Sequence, residues 1–308
     1  MQDPFTGRPT VIQGRHLPAP DACIRLLDGH RQRLRALDHL VETAAQCGIE
    51  ADQDRDFVLL AEDEVSLLEG AGGEWAELGA SIRALRALLP VVPLELFGFR
   101  PEAADPFEVD APRLRRHGGG VEALAFVDDE WSVYKFFLFR EGGEVGAAFQ
   151  FHPEESAPFA AVAVPGSYRL LFAKLRIIHE LGMPTEIAGI TPEGIVIAKQ
   201  TFGHPVPEGL DTSQLEPRRL VPFPSRFLRA DRDHPRLAFI DGEPWLLADT
   251  HDRNVVVDEK GRARIIDLVA APLPAGLVDG FALLRDWIER VRRDPAAPML
   301  APVRDEEL

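Results

Sequence analysis

Cysteine, methionine, tyrosine and long apolar runs are all scarce in this sequence. The 308-residue chain has 2 cysteines, which excludes a disulfide-stabilised scaffold, and no Cys/His spacing indicates a zinc site. We expect Cys23 and Cys47, both in a segment with helical periodicity, to be reduced thiols. No apolar run reaches the roughly 18 residues that can span a bilayer, and the first residues do not resemble a secretion signal. These features predict a cytoplasmic protein with no membrane partner.

An excess of positive charge is also lacking. The chain has 34 basic and 50 acidic residues, a formal net charge of −16. This balance disfavours a general role in binding nucleic acid or an anionic membrane. It also requires that any site for phosphate groups be basic locally. The length and the 45% hydrophobic content are enough for a large core in one or two domains.

Helical periodicity dominates the first third of the chain. Apolar residues recur at three-to-four spacing in three segments: 20–47, 54–69 and 74–89. We expect their apolar stripes to form core, as amphipathic helices usually do. The stretches 1–20 and 90–117 are rich in proline, which predicts an extended arm before the helices and a linker after them.

A single cation lies in a long apolar strand of the middle region. The glycines Gly118, Gly119 and Gly120 precede two predicted strands, 121–127 and 131–139, and Lys135 is the one charged residue of the second. If Lys135 is buried it needs a partner, which a carboxylate or a phosphate would supply. The alternative is a lysine at a sheet edge that faces water. The glycines would let backbone amides approach a phosphate, although such triplets are also common in flexible turns.

The strongest pattern lies in the segment 245–269. A predicted strand ends before Asp249, a polar loop runs to Asn254, and a predicted hairpin with its turn at 259–261 returns the chain to Asp267. Asn254 follows Asp249 by five positions, and Asp267 follows Asn254 by thirteen. We therefore expect the hairpin to bring Asp267 beside Asp249 and Asn254.

This spacing resembles the catalytic loop and the metal-binding aspartate of the protein-kinase-like superfamily. The preceding elements follow the same order: glycine-rich segment, strand with Val-Tyr-Lys, helix at 167–181, two strands, and a hinge at Gln200-Thr201-Phe202-Gly203. Leu-Ala-Asp-Thr-His-Asp-Arg-Asn and Ile-Ile-Asp-Leu are similar to a kinase-like family found in bacterial polyvalent proteins, which has a D-x-H-x-x-N loop, a hairpin and an I-D pair. The resemblance covers roughly 113–269.

The resemblance implies an α+β fold of two lobes with a reduced C-lobe, preceded by helices. The implied domains are an N-terminal arm, helical region and linker (1–112), an N-lobe of antiparallel sheet plus helix (113–203), and a C-lobe with the catalytic loop (204–308). It implies an ATP- and Mg²⁺-dependent phosphotransferase, whose acceptor would be a protein or small-molecule hydroxyl.

The resemblance also implies a role for each site residue. Asp249 would orient the substrate hydroxyl or accept its proton, with Asn254 beside it, and Asn254 and Asp267 would hold Mg²⁺. The residues implied in binding the nucleotide are Lys135, Gly118, Gly119, Gly120, Gln200 and Phe202.

Some positions depart from the kinase pattern. Ala248 precedes Asp249 where many protein kinases have arginine, and Leu268-Val269 follows Asp267 where D-F-G is usual. Glu180, or else Glu154 or Glu155, would have to be the ion-pair partner of Lys135. These departures keep two other functions open: a pseudokinase scaffold that binds nucleotide without transfer, and a protein whose helices bind a partner.

Overall fold

The chain has an α+β fold, seen here in a computed structural model that combines helices with mainly antiparallel sheets. The structure describes residues 17–49, 54–100, 107, 113–119, 122–138, 148–152, 160–164, 166–207, 221–222, 226–227, 236–250, 252–273, 278–279 and 282–294. Residues 1–16 of the predicted arm, and residues 295–308, lie outside these ranges. Within them, no helix is both long and apolar enough to cross a membrane.

Six α-helices are described. They are α1 (Pro20–Gln46), α2 (Asp54–Leu59), α3 (Glu62–Ala71), α4 (Gly73–Ala87), α5 (Tyr168–Leu181) and α6 (Ala282–Arg293). The segment 54–69, predicted as one helix, forms two helices, because Leu60 and Ala61 are not helical. The Glu64 carboxylate accepts the Ala61 backbone N–H and so begins α3 separately.

A five-stranded antiparallel sheet forms the centre of the middle region, in the order β1-β2-β3-β7-β6. Its strands are β1 (Leu114–Gly119), β2 (Ala123–Asp128), β3 (Ser132–Phe137), β6 (Thr185–Ile190) and β7 (Val196–Thr201). The first strand begins inside the stretch 90–117 that we predicted to be linker. Its polar sequence gave no alternation, because only Leu114 of its six residues is buried.

Three smaller sheets complete the fold, in the orders β10-β5-β4, β15-β12-β11-β9 and β14-β13-β8. Their strands are β4 (Ala148–His152), β5 (Ala160–Val164), β8 (His204–Pro205), β9 (Val221–Pro222), β10 (Arg226–Phe227), β11 (Arg236–Ile240), β12 (Glu243–Ala248), β13 (Val255–Val257), β14 (Ala263–Ile265) and β15 (Val269–Pro272). Antiparallel pairing of β13 with β14 confirms the predicted hairpin. Gly261 has a φ of 70° in its turn, a conformation that glycine adopts without strain.

Helix α5 lies between the N-terminal helices and the sheets. Its amphipathic sequence buries Leu171, Phe172 and Leu175 in one core with α1 and α4, and Ile177 and Ile178 in another core with β11, β14 and β15. Ser167 begins the helix by accepting the Leu170 N–H. Because α5 is packed on two sides, its remaining side chains are held in fixed directions.

Two buried histidines tie α1 to the end of α5. The His30 Nε2 atom lies 2.8 Å from the carbonyl oxygen of Thr185, and His179 Nδ1 accepts the Thr185 N–H, so His179 Nε2 donates to the carbonyl of Cys23 in α1. Burial lowers the pKa of His30 to about 3, which keeps its ring neutral. The N-terminal helices therefore help to fix where α5 lies relative to the central sheet.

Candidate functional site

Lys135 is buried in the central strand β3, as the apolar sequence around it suggested. The residue is 8% exposed, and its ammonium donates to the carbonyl oxygen of Ile266, immediately before Asp267. The two residues are brought together across 131 positions of sequence. The alternative of a water-facing edge lysine is therefore wrong. β3 pairs with β2 on one side and β7 on the other.

A second lysine reaches the same place from α5. The Lys174 Nζ atom lies 2.8 Å from Asp267 Oδ1 and also donates to the carboxylate of Glu122, which precedes β2. The Lys174 side chain is 3% exposed, and its ammonium lies 5.8 Å from the centre of the Phe137 ring. Lys135, Lys174, Glu122 and Asp267 together form what we call the buried charge cluster.

Glu180 is not the partner of Lys135. Its carboxylate accepts from Arg176 Nε at 2.6 Å, one turn earlier on α5. Arg176 also donates to Asp241. The other two candidates, Glu154 and Glu155, lie outside the described residues. In the structure the acidic members near Lys135 are Asp267 and Glu122.

The charges of the cluster shift the pKa values of Asp267, Lys135 and Lys174. Burial by itself raises the pKa of Asp267, but Lys174 and Lys135 outweigh that effect and bring it down to about 2. Burial lowers the pKa of Lys135, which Asp267 only partly offsets. Burial also opposes the charge of Lys174, yet Asp267 and Glu122 hold the pKa of that lysine above its ordinary range. Lys174 is thus the firmly charged lysine of the pair.

The predicted catalytic loop places Asn254 against Asp249. The Asn254 side-chain amide donates to the backbone carbonyl of Asp249 at 2.7 Å and to its carboxylate at 3.0 Å. Asp249 has a φ of 60°, in the left-handed region that aspartate tolerates better than most residues. The adjacent hydroxyl of Thr250 is buried and has no hydrogen-bond partner among the described residues. The loop is therefore held by Asn254 in an unusual backbone conformation.

One peptide unit connects this loop to the charge cluster. The backbone N–H of Ile266 donates to the Asn254 carbonyl at 2.8 Å, while the Ile266 carbonyl accepts from Lys135. Strands β13 and β14 hold the two segments side by side. The structure thus links Asp249 and Asn254 to Lys135 through the Ile266 peptide unit, which immediately precedes Asp267.

The side chains of Gln200 and Phe202, the predicted hinge residues, lie in different environments. The buried Gln200 side chain faces inward, where its amide donates to the Thr185 hydroxyl at 2.9 Å and lies 3.4 Å from the Ile266 carbonyl. Phe202 packs edge-on against Trp131, with ring centres 4.9 Å apart. Gln200 therefore belongs to the wall behind Lys135, and Phe202 belongs to a partly exposed aromatic group.

Two residues of the glycine triplet lie at the end of a strand. Gly118 and Gly119 are the last two residues of β1 and pair with Ala125 and Leu124 of β2, after an irregularity in the register at Arg116. Gly120 lies outside the described residues, as does His251 of the loop. Glu122, which directly precedes β2, is the residue that reaches the buried charge cluster.

We asked whether the side chains around Asp267 fit a divalent cation. Asp267 Oδ1 is taken up by Lys174 and also accepts the Leu268 N–H at 3.0 Å. Within the described ranges, no three His, Cys, Asp or Glu side chains are grouped as metal ligands. Magnesium binds through several oxygen ligands with few competing cations nearby. This arrangement, with the Lys174 ammonium on Asp267 Oδ1, does not fit Mg²⁺.

Sequence reasoning missed Lys174 and Glu122. A signal was present: the chain has four lysines, Lys135, Lys174, Lys199 and Lys260, among its 34 basic residues. A sequence that uses arginine so heavily and then places a lysine among the apolar residues of an amphipathic helix indicates a buried, partnered charge. Glu122 had no comparable signal, because it looks like an ordinary polar residue of a turn.

Comparisons with known proteins add no relative. No family model, no curated protein and no solved structure matches this chain. The site is therefore interpreted from its own geometry and from the resemblance of its motifs.

Proposed function

We propose that this protein binds ATP in a kinase-like site and transfers the terminal phosphoryl group to a hydroxyl of an acceptor. The observation that carries the proposal is the pair of hydrogen bonds from Asn254 to Asp249, in a loop joined through Ile266 to Lys135. A carboxylate held in this way, in a loop that one peptide unit connects to a buried ammonium group, suits the transfer of a phosphoryl group from an anionic donor.

The order of elements supports the same proposal. A five-stranded antiparallel sheet carries Lys135 on β3, helix α5 precedes β6 and β7, and the chain then runs to the loop and hairpin that hold Asp249 and Asp267. This is the order that the resemblance implies for an N-lobe followed by a reduced C-lobe.

Each residue has a chemical role in this proposal. Lys135 and Lys174 face the phosphates and offset the negative charge that grows on the leaving oxygen. The acceptor oxygen forms the new bond to the terminal phosphorus, the bond between that phosphorus and the bridging oxygen breaks, and ADP leaves. Asp249 takes the proton of the acceptor hydroxyl, and Asn254 keeps the Asp249 carboxylate in place. Such reactions depend mainly on positioning and charge, which a small set of fixed side chains can supply.

The test is transfer of labelled phosphate from ATP to the protein itself or to a panel of alcohols. The Asp249→Asn variant should lose transfer by about a hundredfold or more, since a lost acid or base typically has that effect. Its affinity for ATP should change by less than about threefold.

A matched control is Asp241→Asn. Asp241 also has a positive φ, 52°, but lies in the turn between β11 and β12 and not in the site. Full transfer activity in the Asp249→Asn variant would contradict the assignment of Asp249.

A second candidate function is a pseudokinase scaffold that binds nucleotide or a partner without transfer. The ion pair of Lys174 with Asp267 favours it, because Asp267 is then not available as a metal ligand. Under this alternative ATP binds with no labelled product from any acceptor. Under the first proposal, binding and product formation occur together.

A further inference from the structure

One of the two cations of the buried charge cluster, Lys174, comes from helix α5, where no cation was predicted. Lys174 lies on α5, in the middle of a helix whose flanking residues are buried apolar side chains. The carboxylate that faces it from the sheet side is Glu122, at the start of β2. Helix α5 therefore presents an ammonium group to Asp267 and Lys135, where the resemblance led us to look for an acid.

Lys174 is held where it is by contacts on several sides. Its ammonium contacts Asp267 Oδ1 at 2.8 Å, donates to Glu122, and lies over the Phe137 ring. An ammonium has three N–H donors, and these two carboxylates take two of them. One donor remains for an additional acceptor, and a phosphate oxygen is an acceptor of the right charge.

The charges of the cluster balance without any added ion. Two ammonium groups, Lys135 and Lys174, face two carboxylates, Glu122 and Asp267. A divalent cation at Asp267 would meet the Lys174 ammonium, 2.8 Å from Oδ1, and would also be repelled by the charge of Lys135. An incoming triphosphate, in contrast, would be attracted to both ammonium groups, and Lys135, which donates to the neutral carbonyl of Ile266, has further N–H donors to offer it.

We propose that Lys174 takes the place of a divalent cation at Asp267, so that the site binds the triphosphate of a nucleotide as the free anion rather than as its magnesium complex. This inference rests on the proposed function, because it assumes that the nucleotide phosphates bind at Lys135. It adds the ionic form of the ligand and the residue that selects it.

The first test needs only the wild-type protein. Binding of ATP is measured by calorimetry in excess EDTA and again with excess Mg²⁺, at equal ionic strength. The dissociation constant in EDTA should be no more than about threefold higher than that in Mg²⁺, and it should be equal or lower if the free anion is the preferred ligand. Binding that is seen with Mg²⁺ and lost in EDTA overturns the inference and leaves the proposed nucleotide site standing. No binding in either condition overturns the proposed function and the inference with it.

The second test removes the ammonium group. Lys174→Met keeps most of the side-chain volume but frees Asp267 and Glu122, so affinity in EDTA should fall about ten- to hundredfold, as expected for one charged hydrogen bond. Added Mg²⁺ should then improve binding, which it does not do for the wild type. A variant that binds ATP equally well in EDTA contradicts the role of Lys174.

The matched control is Lys199→Met on β7. The Lys199 ammonium lies 5.5 Å from the centre of the Tyr134 ring, outside the buried charge cluster. Its replacement should leave both affinities unchanged. If Lys174→Met does not fold, Lys174→Arg keeps the charge at this position. The Arg variant should bind ATP in EDTA, and a requirement for Mg²⁺ in that variant contradicts the inference.

Discussion

Two aspartates on either side of strand β14, Asp258 and Asp267, are both held as carboxylates, but by different surroundings. The Asp258 side chain is 0% exposed and accepts from the Lys260 and Arg262 backbone N–H groups and from the side chains of Arg262 and Arg264. All its donors lie within six positions of it. Asp267 is 33% exposed, and its cations come from α5 and β3.

The difference separates a structural carboxylate from a functional one. Asp258 has all its acceptors occupied by the turn that it organises, so it has no capacity for a ligand. Asp267 is surrounded by groups that distant parts of the chain bring together, and part of it remains open to solvent. Ionisable groups with perturbed pKa values, such as Asp267 and Lys135, are a common mark of functional sites.

The largest expected effect is on stability, at Asp258. Replacement of Asp258 by alanine leaves two arginines and two backbone N–H groups without their buried acceptor. This should lower the free energy of unfolding by about 3 kcal/mol, as for other broken buried ion pairs. Urea unfolding measures the loss, and Glu259→Ala, at an exposed neighbour, should change it by less than about 0.5 kcal/mol. A loss of under about 1 kcal/mol in the Asp258→Ala variant would contradict the assignment of Asp258 as a structural carboxylate.

The next effect concerns the distance between α5 and the segment that holds Asp267. A Cβ atom on Gly182, at the end of α5, would lie 2.1 Å from the carbonyl oxygen of Ile265. Because backbone must move to relieve that contact, Gly182→Ala should cost about 2 kcal/mol.

The control for this substitution is Gly70→Ala in α3, where the new Cβ meets nothing within 4 Å. There alanine should be neutral or stabilise the helix by up to about 1 kcal/mol. Thermal unfolding compares the two variants. Equal stability of the two alanine variants would show that there is room for a Cβ atom between Gly182 and the Ile265 carbonyl oxygen.

A smaller effect is the acid dependence of stability that Asp267 confers. Its pKa is about 2 in the folded protein against an ordinary 3.8. The folded state therefore binds fewer protons, so this stability is fully present above about pH 4 and is lost as the pH falls towards 2. With one third of the side chain exposed, we expect about 1 to 2 kcal/mol.

The check is urea unfolding of wild type and Asp267→Asn between pH 3 and pH 5. The wild type should lose more stability than the variant as the pH falls through this range. Parallel curves for the two proteins would mean that the lysines do not hold Asp267 in its charged form.

The smallest effect expected is on binding of the free nucleotide by Asp267→Asn. Removing a negative charge beside the phosphates should leave the affinity for ATP in EDTA unchanged within about threefold, or increase it. A site that needs a divalent cation at Asp267 should instead lose binding. Calorimetry in EDTA distinguishes the two results, and a large loss in EDTA would contradict the assignment of Lys174 as the resident cation.

The sequence predicted the helices and the hairpin after Asn254 because each has a local signal, whereas the grouping of Lys135 with Asp267 was implied only by the resemblance. Apolar periodicity marks α1 and α5, and the β-branched run before Gly261 marks the hairpin. A lone lysine in an apolar strand must find a partner, which pointed to Lys135.

The identity of the partners was not predictable in the same way. Glu122 and Lys174 meet only because α5 packs against the sheet, and no spacing along the chain records that contact. Glu180 was wrong as a candidate partner of Lys135, because its carboxylate pairs with Arg176 one turn earlier on α5. Strand β1 was missed because its exposed, polar residues lack the alternation that marks a half-buried strand.

The most direct test of the central claim is to label the protein with an acyl-phosphate derivative of ATP in EDTA and map the modified lysines by mass spectrometry. An amine beside the bound phosphates attacks the acyl group and releases ATP. With four lysines in the chain the map is complete. Because burial lowers the pKa of Lys135, that amine should react first, and excess ATP should protect it. Labelling confined to Lys199 and Lys260, or unaffected by ATP, would contradict a phosphate site at the buried charge cluster.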